Sequence, residues 1–358
     1  MTVQDGRLSF ALVAPDAETW EAFVAQHPQG SLLQRPGWGE LKSQFGWDVQ
    51  RLAIMSPDGL RAGAQLLFKR RFGLAAAYVP RGPLLSGDAE IDRALLRAMR
   101  ALSTRSRAIF LRLEPNMLEQ AAGAQQLHSA LLLAGFQPTP PLQPRSTVHL
   151  DLGPTPEKLL SAMSKGHRAD IRRAAREGVT VRVGEGEADL DAFYAIMQST
   201  SARAQFGIHS RDYYAAVLRI FGRSADALLL LADWRGETVA TALMCADAHA
   251  GLYLYSGSTP DGLKSGAQHA IQWQALQWAR ERGCTRYDFW GIPDAIGQAL
   301  TVADPDERLR LEEQAKADAL YGVYRFKKGF GGSVVRFLPA YDQVYVPPLY
   351  SLWQRRIV

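Results

Sequence analysis

The chain has 358 residues, 47% of them hydrophobic and 22% charged, with a formal net charge of +5. That length exceeds one typical hydrophobic core, so two domains are expected, and no apolar run is long enough to span a bilayer. The mild positive charge favours anionic partners such as phosphates or RNA, but lacks the density of a dedicated nucleic-acid binder.

From the start, "MTVQDGRLSF" lacks a basic region followed by a long apolar core, so no signal peptide is expected and the chain reads as cytoplasmic. The two cysteines, Cys245 and Cys284, have no metal-ligand spacing and fall in apolar contexts, which marks them as core thiols. The first half then reads "RLAIMSPDGLRAGAQLLFKRR" and "AAAYVPRGPLL". A helix with Ile91, Leu95, Ala98 and Leu102 on one face follows, then a strand "AIFLRLEP". The second half repeats the plan with "ALLLLADWRGETVATALMCAD" and "AGLYLYSGSTP", a helix with Ala267, Ile271, Ala275 and Trp278 on one face, and a strand "RYDFWGIP". Pro57-Asp58-Gly59 and Arg235-Gly236 are hairpin turns.

Between the halves, the prolines of "PTPPLQPRSTVHLDLGPTPEKLL" mark a crossing segment. A helix begins with Thr155 as N-cap and Pro156 at its first position, is interrupted at Gly166, resumes through "HRADIRRAAREG" and is closed by Gly178. The aromatic tail "VRFLPAYDQVYVPPLYSLWQ" is expected to pack back on the first domain. The fold class is therefore α/β (α+β), as two tandem domains of GNAT type with mixed, mostly antiparallel sheets. The first spans 1–146 plus the tail 338–358, and the second spans 147–337.

Six segments in order carry a resemblance: "SLLQRPGWGELKSQFGW", "YVPRGPLL", "KGHRADIRRAAREGV", "YLYSGST", "GCTRYDFWGI" and "YRFKKGFGG". With them the chain resembles the FemABX aminoacyltransferases over nearly its whole length, in the short form without a helical arm. The resemblance implies transfer of an amino acid from aminoacyl-tRNA to the side-chain amine of a peptidoglycan stem peptide on a nucleotide-linked (UDP-MurNAc-pentapeptide) or lipid-linked muropeptide. It implies no metal and no cofactor beyond aminoacyl-tRNA as donor substrate, and a groove in the second domain or at the domain junction. By resemblance Lys42, Arg211, Tyr214 and Tyr255 line that groove, and Phe326 and Lys327 match the family's "FK" at the tRNA end.

Amine attack on an aminoacyl ester forms an oxyanion, which a fixed cation stabilises. Lysine's reference pKa near 10.4 would leave Lys327 charged at neutral pH, suited to that task rather than to accepting a proton. Read as a strand, "YRFKKGFGG" puts Lys327 and Lys328 on opposite faces and leaves open which points inward. The plainer reading is an edge strand whose lysines block aggregation. Phe326 and Phe330 could stack on a terminal adenine, at about 1–3 kcal/mol per base. Lys165, Arg168, Arg172 and Arg176 share a helix face that could meet tRNA phosphates or simply face solvent. Arg203 and Arg211 are alternatives for a diphosphate contact, and Tyr78 and Arg81 either touch substrate or pack at a junction. Asp288 and Asp294 are candidate bases, Asp288 more plausibly a structural acceptor, and His167 and His209 stand alone without an assigned role. Two other functions compete. One is a CoA-dependent GNAT acyltransferase, for which "GLKSGAQHA" is only a partial phosphate-binding turn. The other is a non-enzymatic RNA-binding module.

Overall fold

The computed structural model describes residues 10–204 and 206–354. Most of the stretch read for a leader, and the last four residues of the tail, lie outside them. The chain divides into two units, Met1–Arg145 with Phe337–Val358, and Ser146–Arg336.

Unit 1 contains β1 (Ala11–Val13), α1 (Ala17–Gln26), α2 (Pro36–Gln44), β2 (Asp48–Ser56), β3 (Gly59–Arg71), β4 (Leu74–Val79), α3 (Ala89–Arg105), β5 (Ala108–Leu113), α4 (Ala124–Leu133) and β6 (Gln137–Thr139). Unit 2 begins with β7 (Ser146–Asp151), α5 (Pro156–Ala162), α6 (Lys165–Arg176), β8 (Thr180–Val183), α7 (Gly186–Ala204) and α8 (Arg211–Gly222). It continues with β9 (Ala227–Trp234), β10 (Glu237–Ala246), β11 (Ala250–Ser258), α9 (Pro260–Ser265), α10 (Ala267–Glu281) and β12 (Arg286–Gly291). It ends with α11 (Asp294–Ala299), α12 (Pro305–Lys316), α13 (Tyr321–Lys328) and β13 (Ser333–Arg336), after which β14 (Ala340–Val344) and α14 (Pro347–Gln354) belong to unit 1.

The two sheets share one plan. Their strand orders are β1-β2-β3-β4-β5-β14-β6 and β8-β9-β10-β11-β12-β7-β13. Among the described residues, only the central pair of each, β4–β5 or β11–β12, is parallel. The amphipathic helix crossing that pair buries Ile91 and Leu95 in unit 1 and Ala267, Ile271 and Ala275 in unit 2. The hairpin turns fall where Asp-Gly and Arg-Gly put them, with Arg235 and Gly236 both at positive φ. Cys245 and Cys284 are buried thiols outside any disulfide. Among the described residues, no helix is long and apolar enough to cross a membrane.

Two expectations are corrected. The helix after Thr155 breaks at Met163–Ser164, where the backbone turns extended, and Gly166 lies inside the first turn of α6. Ser164 restarts the helix by accepting the His167 N–H, which makes it a better N-cap than the glycine is a breaker. The second correction concerns residues 321–328, which form α13 rather than a strand. Their aromatics recur at helical spacing: Tyr321 meets Tyr324, and Phe326 meets Phe330 just past the helix. The edge strand begins only at Ser333.

Candidate active site

In unit 2, β11 and β12 pair only from Ala250 to Leu252 and Arg286 to Asp288, although both strands continue further. Beyond Asp288 the register of β12 against β7 slips, and Trp290 takes a left-handed backbone at φ 62°. Such a conformation costs a tryptophan about 1–3 kcal/mol and persists only where neighbours impose it. Here Asp288 imposes it, accepting the Trp290 N–H at 2.7 Å and the Thr147 hydroxyl. The bulge turns two carbonyls toward one amine. Lys327 Nζ donates to Trp290 O at 3.2 Å and Gly291 O at 2.7 Å, 5.7 Å from the centre of the Tyr253 ring.

Lys327 is 6% exposed. Burial pulls its pKa down to about 7, against a smaller upward pull from Asp288. This corrects the expectation of a fully charged lysine: near neutral pH the amine is present in both forms. The question of which lysine points inward is settled by the helix. Lys327 is buried, whereas Lys328 is exposed and donates to Gly332 O at 2.5 Å.

The start of α6 holds the end of α13. Ser164 N–H donates to Gly329 O at 2.8 Å, and His167 Nε2 lies 2.7 Å from Phe326 O. Because that carbonyl can only accept, Nε2 carries the proton, which leaves Nδ1 to accept from Ser164 Oγ at 2.9 Å. Gly329 permits the approach, since a Cβ there would lie 1.9 Å from the His167 ring. His167 is not alone: it packs edge-on against His269 at 4.7 Å, and His269 faces Asp170 at 3.5 Å. Burial, with the neighbouring His167, takes His269 down to about 4, and burial lowers His167 too. Phe330 is fully buried between His167 and Phe289, which removes it as a surface for stacking a base. Phe326 is half-buried against both histidines.

The other sequence candidates scatter. On α6, Lys165, Arg172 and Arg176 are exposed, but Arg168 turns inward to the carbonyls of Ser161 and Met163, so the face is interrupted. Tyr214 and Tyr255 meet edge-on at 5.1 Å, in a cluster with His209, which stacks on Tyr213 at 3.8 Å. Arg211 points away to Glu187 and Asp191, both at 2.5 Å, and exposed Arg203 donates to Ser258 O at 2.9 Å. Asp294 is held by Arg336 and by the Ser146 hydroxyl, a structural role. In unit 1, Lys42 lies 4.9 Å over the Trp38 ring, and its pKa falls to about 8 through burial and the nearby Lys69. Tyr78 is buried, with its hydroxyl on Glu114 at 2.5 Å. Arg81 is 4% exposed, on Pro144 O at 2.8 Å and the Phe337 ring. In the described unit both residues are packing elements rather than open contacts. Sequence reasoning missed Thr147, Tyr253, His269 and Tyr213, which only strand pairing and helix packing bring to these clusters.

The FemAB family model matches residues 16–235 and 232–355. The chain belongs to the FemAB family. This FemAB protein is 24% identical to the lipid II:glycine glycyltransferase of Staphylococcus aureus (strain USA300), over 93% of this chain and 92% of the relative. Its fold matches a crystal structure of FemX with TM-score 0.81 at 22% identity, over 96% of this chain and 99% of that one. A tandem GNAT protein from the clavulanic acid biosynthesis pathway matches at TM-score 0.57 and 10% identity, covering 93% and 98%. The tandem GNAT-like architecture expected of this FemAB chain is thus the observed one.

Proposed function

We propose that this FemAB protein is an aminoacyltransferase of peptidoglycan bridge synthesis, moving an amino acid from aminoacyl-tRNA to the side-chain amine of the stem peptide on a lipid-linked muropeptide, at the cytoplasmic face of the membrane. The observation that carries the reading is Lys327, a buried amine with a pKa of about 7, braced on the bulge carbonyls of β12. Full-length similarity to a lipid II:glycine glycyltransferase supports the acceptor.

The attacking amine adds to the ester carbonyl, and the carbonyl oxygen becomes an oxyanion. The C–O bond to the tRNA ribose then breaks as an amide forms. The amine must lose a proton and the departing ribose oxygen must gain one. With two N–H groups on carbonyls, neutral Lys327 keeps a lone pair for the first transfer, and protonated Lys327 keeps a third N–H for the oxyanion or the leaving oxygen. Lys165, Arg172 and Lys328, all exposed, are the cations we assign to tRNA phosphates, and half-buried Tyr255 is the residue we assign to the muropeptide. The reaction needs no metal and no cofactor besides the charged tRNA.

CoA-dependent transfer is disfavoured by α10. A diphosphate would sit at the start of that helix, yet α6 covers it: a Cβ on Gly266, at φ 79°, would lie 2.6 Å from Asp170 O. The test offers purified protein labelled aminoacyl-tRNA and labelled acetyl-CoA side by side, with lipid-linked and nucleotide-linked muropeptides. Label should pass from tRNA to the lipid-linked peptide. Label arriving only from acetyl-CoA would overturn the proposal.

A further inference from the structure

Unit 1 holds a groove of about 1100 Å³ between α3 and α4. Its floor is apolar, made by Leu96, Met117, Leu127 and Phe136. Arg93, Arg97 and Arg100 project along one exposed stripe of α3 at i, i+4 and i+7, and Arg61 of β3 joins them at the rim. Among the described residues the side chains of these four arginines make no hydrogen bond or ion pair. The carboxylate in the groove, Asp92, is taken up by the Ser86 and Gly87 backbone N–H groups and the Ser86 hydroxyl. Leu133 stands at the α4 side of the groove, 90% exposed.

Unpaired cations beside an apolar trough match one ligand chemistry, a phosphate attached to a hydrocarbon chain. We propose that this groove docks unit 1 on an anionic lipid surface, with Arg93, Arg97 and Arg100 on lipid phosphates, Leu133 among the acyl chains and a lipid tail along the floor. RNA fits less well. Its phosphates would suit the arginines, but the floor of Leu96, Met117, Leu127 and Phe136 offers base edges no polar side chain. The docking goes beyond the transfer reaction, and its deciding readout is vesicle binding rather than transfer, so either reading can fail alone.

The probe is sedimentation with phosphatidylglycerol vesicles against phosphatidylcholine vesicles. The anionic vesicles should carry the protein down, the zwitterionic ones should not, and salt should weaken the binding. Replacing Arg93, Arg97 and Arg100 together by Gln should lower the partition coefficient about 100-fold. Leu133→Ser, which leaves the charge alone, should lower it several-fold. All four side chains are exposed, so both variants should keep the wild-type circular dichroism. Equal binding to the two vesicles, or undiminished binding by the triple variant, would overturn the proposal. So would displacement from vesicles by soluble glycerol phosphate as effective as displacement by lipid. A triple variant that loses tRNA retention on a filter yet keeps its vesicle binding would reassign the arginines to RNA.

Discussion

Lys327 is the residue whose environment most changes its chemistry. In water its amine would be charged far above neutral pH; here desolvation brings the transition to about 7. Lys327→Met should therefore lower turnover by orders of magnitude while leaving the KM for the acceptor within a few-fold, because the amine acts on the reacting atoms. If the neutral amine performs the proton transfer, kcat/KM should rise through pH 7 with a slope near one, and this limb should vanish in the variant. Stability gives an independent reading. The lysine's folded pKa lies below its unfolded value, so the unfolded chain binds more protons between about pH 7 and the unfolded pKa near 10.4. The contribution of Lys327 is thus fully present above that unfolded value and is lost as pH falls toward 7. The melting temperature of Lys327→Met relative to wild type should be higher at pH 6 than at pH 10, and a pH-independent difference would argue against the buried, depressed amine.

At the scale of elements, α13 is placed by a contact that needs a missing side chain. Gly329→Ala would drive a methyl into the His167 ring, so either α13 or α6 must move. We expect turnover to fall, and His167→Ala added to Gly329→Ala to recover part of the loss although His167→Ala alone is harmful; double-mutant kinetics would show that sign reversal. In unit 1 the buried pair Arg112–Asp342, at 2.6 Å, ties β5 to β14. Arg112→Met should cost about 3 kcal/mol in denaturant unfolding by stranding a buried carboxylate. The strands and crossing helices of both units were legible because their alternation and helical spacing are local. The bulge at Trp290 was not, since it depends on Thr147 from a distant strand. The phenylalanines and lysines of residues 326–330 were recognisable as a cluster, but burial separates Lys327 from Lys328 and hides Phe330, and burial is a property of α6 and β12 packing on them. Likewise Arg211 could be picked out as a cation, but not its capture by Glu187 and Asp191 on α7.

On the scale of the whole molecule, the duplication is interleaved rather than sequential. β14 lies inside the sheet of unit 1, between β5 and β6, with Tyr341 fully buried, yet it follows all of unit 2 in the chain. A chain ending at Arg336 retains every strand of unit 2 and lacks an interior strand of unit 1. Limited proteolysis of that truncated chain should spare 146–336 and degrade 10–145; equal protection of both would show that β14 is dispensable. The same arrangement sets an order for synthesis. Domains usually fold as they leave the ribosome, the earlier before the later. Here the earlier-made unit must wait with an open seam in its sheet until the later-made one has been translated, so the nascent chain holds unpaired edges of β5 and β6 for most of its synthesis. Those edges are where a chaperone would be expected to bind, and where mispairing between neighbouring nascent chains would begin.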